Sequence, residues 1–117
     1  MEFSVEFYKT KSGSCPVQEF LNDLKEKDSD DFAIILAGLD KLRQRDYHRP
    51  PLSKPIGEEL FELRHVGKLN TRVIYFFMKG RRIIAVHGIR NKATKIPESD
   101  LKIAKSRKED WEKRNSS

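Results

Sequence analysis

The chain has 117 residues, a single cysteine and a formal net charge of +6, which suits one domain spanning residues 1–117 and is too short for two hydrophobic cores. The longest apolar runs, such as residues 73–78, fall far below the roughly 20 residues of a membrane-spanning helix. Cys15 alone excludes an internal disulfide. The N-terminus lacks the basic and apolar regions of a secretion signal, so we expect a cytoplasmic protein.

The basic charge is concentrated in one part of the chain. Residues 1–63 have a net charge of −4, whereas residues 64–108 carry 13 Lys or Arg against only Glu98 and Asp100, a net charge of +11. A solvated surface would mix both signs, but a surface that binds a polyanion concentrates one sign. The distribution favours a nucleic-acid partner, with an acidic protein partner as the alternative.

The first half of the chain predicts one strand followed by two helices. Apolar and polar residues alternate over residues 2–8, as in a half-buried strand. Pro16 suits the first position of a helix, because its missing N–H would be unsatisfied there. Spacings of three and four predict two amphipathic helices, the first with Val17, Phe20, Leu21 and Leu24, the second with Phe32, Ile35, Leu36, Leu39 and Leu42. The proline-containing segment 47–57 is predicted to be a surface connection.

Three further strands are predicted at residues 59–64, 71–77 and 82–89, and their short loops favour antiparallel hairpins. Pro97 then opens a helix rich in lysine and arginine. These elements predict an α+β fold, with two N-terminal helices packed on a small, mainly antiparallel sheet and a basic helix at the C-terminus. The first strand is expected at an edge of the sheet or in parallel pairing.

The loop lengths predict which residues face each other across the sheet. A two-residue turn at 79–80 would place Arg72 opposite His87, and the loop at 66–70 would place Arg64 opposite Arg72. One face is then almost wholly apolar and suits the two helices, with Phe61, Leu63, Val73, Tyr75, Phe77, Ile84 and Val86. The other face is mixed, with Glu62, Arg64, Arg72, Ile74, Phe76, Ala85 and His87.

The mixed face carries a row of Arg64, Arg72 and His87, followed along the chain by Arg90, Lys92 and Lys95. Two guanidiniums can hold a phosphate and stabilise the charge that develops on its oxygens. A histidine beside them would stay neutral and could accept a proton. If the polymer is RNA, its own 2′-hydroxyl serves as the nucleophile, so this chemistry needs no metal.

Other interpretations of these residues remain open. Arg64 and Arg72 could be surface strand residues bonded to Glu62, His87 a packed core histidine, and Lys92 and Lys95 solvated loop lysines. The sequence has no glycine-rich phosphate loop, HExxH motif or cysteine pair. The three histidines are scattered, so neither a metal nor a cofactor is expected.

Three motifs carry a family resemblance: Leu-Phe-Glu-Leu-Arg at 60–64, Thr-Arg-Val-Ile-Tyr-Phe-Phe at 71–77, and Val-His-Gly-Ile at 86–89, followed by the basic run to Pro97. They resemble the HigB branch of the RelE toxin superfamily, which typically reads L-[FY]-E-L-R, R-[VI]-x-Y-F and H-G-F-x-K-K-[TS]-x-K-T-P before a basic helix. The resemblance covers essentially the whole chain in order, and its specific motifs lie in residues 60–108.

The resemblance implies a RelE-like fold and a bacterial or phage-derived type II toxin that cleaves messenger RNA on translating ribosomes. A helix-turn-helix antitoxin of the HigA kind would neutralise it and would alone contact operator DNA. The family's basic positions fall on Arg64, Arg72, Lys92 and Lys95, with His87 in the matching His-Gly pair. Further RNA contacts are expected from Arg90, Lys102, Lys105 and Arg107. A non-catalytic RNA- or protein-binding module on the same fold is the alternative.

The sequence departs from the family pattern at Asn91 and at Ile96. Asn91 stands where the first lysine of the pair is usual, and Ile96 stands where threonine precedes the proline. The antitoxin could cover the basic surface or bind the acidic N-terminal helices at Asp28, Asp30 and Asp31. We expect the helices to provide the larger contact, because toxins that this chain resembles are often bound away from the active face.

Overall fold

The computed structural model describes residues 2–115 as a five-stranded mixed sheet with helices on both faces. In chain order the elements are β1 (Ser4–Phe7), α1 (Pro16–Lys27), α2 (Ser29–Lys41), a 3₁₀ turn (Arg45–Tyr47), β2 (Ser53–Gly57), β3 (Leu60–Val66), β4 (Asn70–Met78), β5 (Arg82–Asn91) and α3 (Glu98–Asn115). The strand order is β1-β5-β4-β3-β2. Only β1 pairs in parallel, at an edge, and the other neighbours are antiparallel. The predicted α+β, RelE-like arrangement is confirmed.

Helix α1 begins where the sequence predicts, and α2 begins at Ser29, three residues before Phe32, the first residue of its predicted apolar stripe. Pro16 is the first residue of α1, and the Asp28 carboxylate caps α2 by accepting a hydrogen bond from the Asp31 N–H at 3.0 Å. Val17, Leu21 and Ile35 are among the residues that these helices bury. Leu36 was wrongly placed in the buried stripe of α2: its side chain is 47% exposed, because it lies on the outer side of the helix.

Strand β2 was missed by the sequence analysis, which interpreted this segment as a connection. It pairs with β3 at the edge of the sheet, where Lys54 lies opposite Glu62 and Pro55 opposite Phe61. Proline is tolerated in an edge strand, because the missing N–H can face away from the neighbouring strand. A register shift between Pro55 and Gly57 ends the regular pairing.

The turn between β4 and β5 has three residues, not the two predicted. Met78 pairs with Arg82, so Lys79, Gly80 and Arg81 form the connection. Gly80 and Arg81 both have positive φ, at 83° and 57°, which is typical of tight hairpin connections. The extra residue exchanges the faces of the first part of β5.

The faces of β5 therefore differ from the prediction in part. Ile84 and Val86 lie on the face away from α1 and α2, and Ala85 lies towards these helices. A bulge then adds one residue, since Ile74 pairs with His87 while Tyr75 pairs with Ala85. The bulge returns His87 to the predicted face, but Arg72 pairs with Ile89 rather than with His87.

Two apolar clusters lie on opposite faces of the sheet. The first joins α1 and α2 to Leu63, Val73 and Tyr75, and Phe3, Val5 and Phe7 pack against it. The second contains Leu60, Ile74, Phe76, Ile84 and Val86 together with Ala104 of α3, and Trp111 packs on it. The basic C-terminal helix thus covers part of the mixed face and leaves the Arg64 end of β3 exposed.

Candidate functional site

Arg64 and Arg72 are directly opposite each other on β3 and β4, as the sequence predicted. Their surroundings differ sharply. Arg64 is exposed to solvent, whereas Arg72 is only 1% exposed. The two guanidiniums therefore do not form an open pair at the surface, and only Arg64 is free to meet a ligand directly.

The buried Arg72 side chain holds the loop between β5 and α3. Its Nη2 donates hydrogen bonds to the carbonyl oxygens of Ala93 at 3.1 Å and Thr94 at 2.9 Å. Its Nε lies 3.1 Å from Oε2 of Glu62, without a directed hydrogen bond between these two atoms. Glu62 is also buried, so this ion pair offsets part of the cost of burying both charges. The sequence left open that Arg64 and Arg72 pair with Glu62, and the structure shows this pairing for Arg72.

Two asparagines hold the same loop at Ala93. The Asn70 side-chain amide donates to the Ala93 carbonyl at 2.8 Å, and the Asn91 side-chain oxygen accepts from the Ala93 N–H at 3.0 Å. Asn91 also accepts from Nη1 of Arg72 at 3.5 Å. The departure from the family pattern at residue 91 therefore has a structural role, since a lysine could not accept these hydrogen bonds.

Lys92 and Lys95 project from this held loop. Both are exposed, and within residues 2–115 neither has an ion pair or hydrogen bond from its ammonium group. Arg64 and Arg72 are opposite residues on the same face of the sheet, and Arg72 binds the main chain of Ala93 and Thr94, so the loop and Arg64 lie on one side of the sheet. We call Arg64, Lys92 and Lys95 the free basic surface.

His87 does not belong to the free basic surface. It lies on β5, two strands from Arg64, and lines a groove between α1 and α3. Its ring is 13% exposed. Its Nδ1 accepts from Nη1 of Arg107 at 3.0 Å, and its Nε2 lies 2.8 Å from an Asp100 carboxylate oxygen. Because arginine can only donate, Nε2 carries the ring proton and donates it to Asp100.

Three of the four residues expected to bind RNA are engaged within the protein. Arg90 contacts Asp28 at 2.8 Å and Asp31 at 3.1 Å. Arg107 also donates to the Val86 carbonyl at 2.8 Å, and burial lowers the pKa of its guanidinium. Lys105 lies 2.6 Å from Glu58. Lys102 is exposed, and within the described part of the chain it has no ion pair.

Asp28 and Asp31 are also less available than the sequence indicates. Asp31 is buried, where it accepts a hydrogen bond from the Thr71 hydroxyl and lies 3.3 Å from Nε2 of His65. Together with the contacts to Arg90, these bonds attach the start of α2 to the end of the sheet. Of the three acids proposed as an antitoxin contact, Asp30 alone is exposed without an ion pair among the described residues.

Two residues that share a cavity with Arg64 were not predicted from the sequence to belong to the site. Tyr47 and Arg49 lie in the segment interpreted as a connection, and both are exposed beside a cavity that Arg64 also lines. An aromatic residue and an arginine so close together form a common pattern in sites for single-stranded nucleic acid. Both residue types are visible in the sequence, but only the fold brings them beside Arg64.

Neither a metal site nor a membrane span is found in the described part of the chain. Residues 2–115 contain no group of three His, Cys, Asp or Glu side chains arranged to hold a metal ion. Over the same residues, no helix combines the length and the apolar character that crossing a bilayer demands.

Comparison with family models identifies the family of this chain. No curated protein matches the chain. Residues 19–109, most of the chain, match the family described as "Phage derived protein Gp49-like (DUF891)". The match begins within α1, continues through all the strands after β1 and ends in α3. The predicted RelE superfamily is supported at this level, without its HigB branch: the chain belongs to the Gp49-like family of phage-derived proteins, a RelE/toxin-like family.

Proposed function

We propose that the protein is the toxin of a type II toxin-antitoxin system and cleaves messenger RNA on translating ribosomes without a metal. The free basic surface carries this proposal: Arg64, Lys92 and Lys95 are exposed cations without acidic partners among residues 2–115, while most neighbouring cations are paired. Unpaired cations attract phosphates and release counterions when they bind them. Membership of a toxin-like family supports the same assignment.

In the proposed reaction, the 2′-hydroxyl oxygen of RNA attacks the adjacent phosphorus atom. The new bond to the 2′-oxygen forms as the bond to the 5′-oxygen breaks, one proton leaves the 2′-hydroxyl, and one proton reaches the departing 5′-oxygen. Arg64 binds the phosphate and stabilises its growing negative charge. Lys92 and Lys95 hold the RNA backbone, and a lysine ammonium can donate the proton that the leaving oxygen needs.

Arg72 is proposed as a positioning residue in this scheme, because its contacts end on the main chain of the 92–95 loop. His87 is a less suitable base than the sequence suggested. Its Nδ1 already accepts a hydrogen bond from Arg107, and its Nε2 proton is donated to Asp100. His87 therefore fastens α3 to β5 in the described arrangement.

One observation favours a second function. All three residues of the free basic surface are cations, and none is a carboxylate or imidazole that could accept the 2′-hydroxyl proton. A non-catalytic RNA-binding module would need the cations alone. The two functions can be distinguished by RNA cleavage, because only the nuclease produces cut RNA.

The proposed partners are the ribosome with its messenger RNA, in the cytoplasm, and a helix-turn-helix antitoxin. The antitoxin would carry the operator contacts. The start of α2 presents Asp30 to solvent, and a basic patch on the antitoxin would complement it.

Induced expression in a bacterial host tests the function directly. The wild-type protein should arrest translation, and sequencing of RNA ends should show cuts within translated regions. Arg64→Ala should reduce cutting by about 10²-fold, as removal of one oxyanion donor does. Lys79→Gln is a suitable control, because Lys79 is exposed at the opposite end of β4. Arrest with intact RNA ends would instead support the binding module.

A further inference from the structure

A cavity of about 400 Å³ opens beside Arg64, outside the 92–95 loop. Its wall is built by the end of α2, the 3₁₀ turn and the segment that leads into β2. Its volume lies within the roughly 300–1,000 Å³ range of small-ligand sites. Arg64 lines this cavity and also belongs to the free basic surface, so it connects the two.

The wall offers an aromatic platform. Tyr47 is 40% exposed, which leaves part of its ring open to a ligand. The Lys41 ammonium lies 5.6 Å from the ring centroid, and Pro50 and Pro51 complete the wall. Proline fixes its own φ angle, so this part of the wall is stiff.

The polar groups around the platform are free. Arg49 and Asp46 line the cavity and are exposed, and within residues 2–115 neither side chain has an ion pair. Two guanidiniums and one carboxylate around an aromatic ring match the parts of a nucleotide. Arginine binds its phosphate, the ring stacks on its base, and a carboxylate accepts hydrogen bonds from N–H groups on the base edge.

We propose that this cavity binds one guanosine nucleotide of a single-stranded RNA, with the base stacked on Tyr47, the Asp46 carboxylate facing its edge, and the phosphates on Arg49 and Arg64. Guanine presents two adjacent N–H groups on its Watson–Crick edge, and a carboxylate can accept both. The inference rests on the proposed function for the source of the RNA. It adds a base-selecting position next to the site of cleavage.

Binding of short RNAs that cannot be cut tests the site. The probes are a single-stranded oligouridine with one central guanosine and its uridine-only counterpart, both with 2′-O-methyl groups. Tyr47→Ala should weaken binding of the guanosine probe by about 5- to 150-fold, the range of one base–aromatic stack. Tyr47→Phe should bind like the wild type. Val66→Ala, which shortens another exposed apolar side chain, is the matched control.

Asp46→Asn tests selection of the base. The wild type should prefer the guanosine probe, and the variant should lose most of that preference while it still binds both RNAs. Equal binding of the two probes by the wild type would overturn the assignment of guanosine. Unchanged affinity in Tyr47→Ala would overturn the site as a whole.

Cleavage mapping separates this inference from the proposed function. If wild-type protein cuts messenger RNA and Tyr47→Ala cuts the same positions at the same rate, the cavity has no role and the inference fails alone. If no cutting occurs but Tyr47→Ala loses RNA binding, the nuclease function fails and the nucleotide site stands.

Discussion

The ring of Phe20 in α1 lies against the backbone of Gly88 in β5. A Cβ atom placed on residue 88 would fall 2.3 Å from Cδ2 of Phe20, far closer than two carbon atoms that are not bonded can approach. Gly88 is therefore required by helix packing and not by a turn. This contact gives a physical reason for the glycine of the His-Gly pair in the family pattern.

Gly88→Ala should destabilise the protein by about 1–3 kcal/mol, the usual cost of overpacking a filled core. Urea unfolding measures the loss. Gly67→Ala is the matched control, because its added Cβ would make only ordinary contacts, with the His65 ring at 3.4 Å and the Leu69 carbonyl oxygen at 3.9 Å. Combining Gly88→Ala with Phe20→Leu should recover part of the loss. Equal stability of the two glycine variants would contradict the packing argument.

Arg72→Ala should destabilise the fold by about 3–5 kcal/mol, because it leaves Glu62 buried without its partner. The double variant Glu62→Leu with Arg72→Met should regain much of this stability, since it replaces the ion pair with apolar side chains. It should not regain RNA cleavage, because the Thr94 carbonyl loses the Arg72 donor and the Ala93 carbonyl keeps only that of Asn70. Wild-type cleavage by a stable double variant would show that Arg72 does not position the loop.

The Glu6 and Arg82 pair should make stability depend on acidity. Arg82 donates to both Glu6 oxygens, at 2.7 and 2.9 Å, and these bonds lower the pKa of Glu6 below 4.5. Because the pKa of Glu6 is lower in the folded state than in the unfolded state, the pair stabilises the fold fully at pH values above the unfolded-state pKa. This contribution disappears as the pH falls through the folded-state pKa. Glu6→Gln should therefore cost about 0.2–1 kcal/mol at neutral pH. The difference from wild type should vanish in acid, and a constant difference would contradict the pairing.

RNA affinity should depend steeply on salt through the free basic surface. Each phosphate contact with single-stranded RNA contributes about 0.7 to the slope of log affinity against log salt. Replacing Arg64, Lys92 and Lys95 by glutamine should reduce that slope by about 2. The same substitution at Arg90 should change it much less, because Arg90 is paired with Asp28 and Asp31. Filter binding across a salt series measures both slopes.

Antitoxin binding should depend directly on the charge of Asp30. Changes at Asp28 or Asp31 should act mainly through the stability of the toxin. Asp30→Lys should weaken antitoxin binding without loss of stability, since Asp30 is exposed. Reversal of Asp28 or Asp31 should instead destabilise the toxin, because each would face Arg90 as a like charge. Calorimetric titration with thermal unfolding of each variant separates these effects. Unchanged affinity in Asp30→Lys would place the antitoxin elsewhere.

Local signals in the sequence predicted most of the elements. Pro16 marked the start of α1, and the loop length between β3 and β4 correctly placed Arg64 opposite Arg72. The predicted register of β4 and β5 was wrong because Arg81 adopts a left-handed conformation and lengthens the turn. Strand β2 was not predicted because its proline and glycine are poor strand formers. Its pairing with β3 overrides that preference.

The site was harder to predict because its distinctions depend on long-range contacts. Arg64 and Arg72 look equivalent in the sequence, and only the loop that folds over Arg72 makes one buried and the other free. Arg90 likewise appears as one more cation until α2 brings Asp28 and Asp31 to it. Charge patterning located the basic half of the chain, but not which charges remain available for a ligand.

The 92–95 loop is held through its main chain, by bonds to the carbonyls of Ala93 and Thr94 and to the Ala93 N–H. Main-chain anchors do not depend on the side chains that the loop displays. The side chains at positions 92 and 95 can therefore be replaced by others while the loop keeps its conformation. This separation would let related chains diversify the surface shown to RNA at little cost in folding, with Asn70, Arg72 and Asn91 as the fixed support.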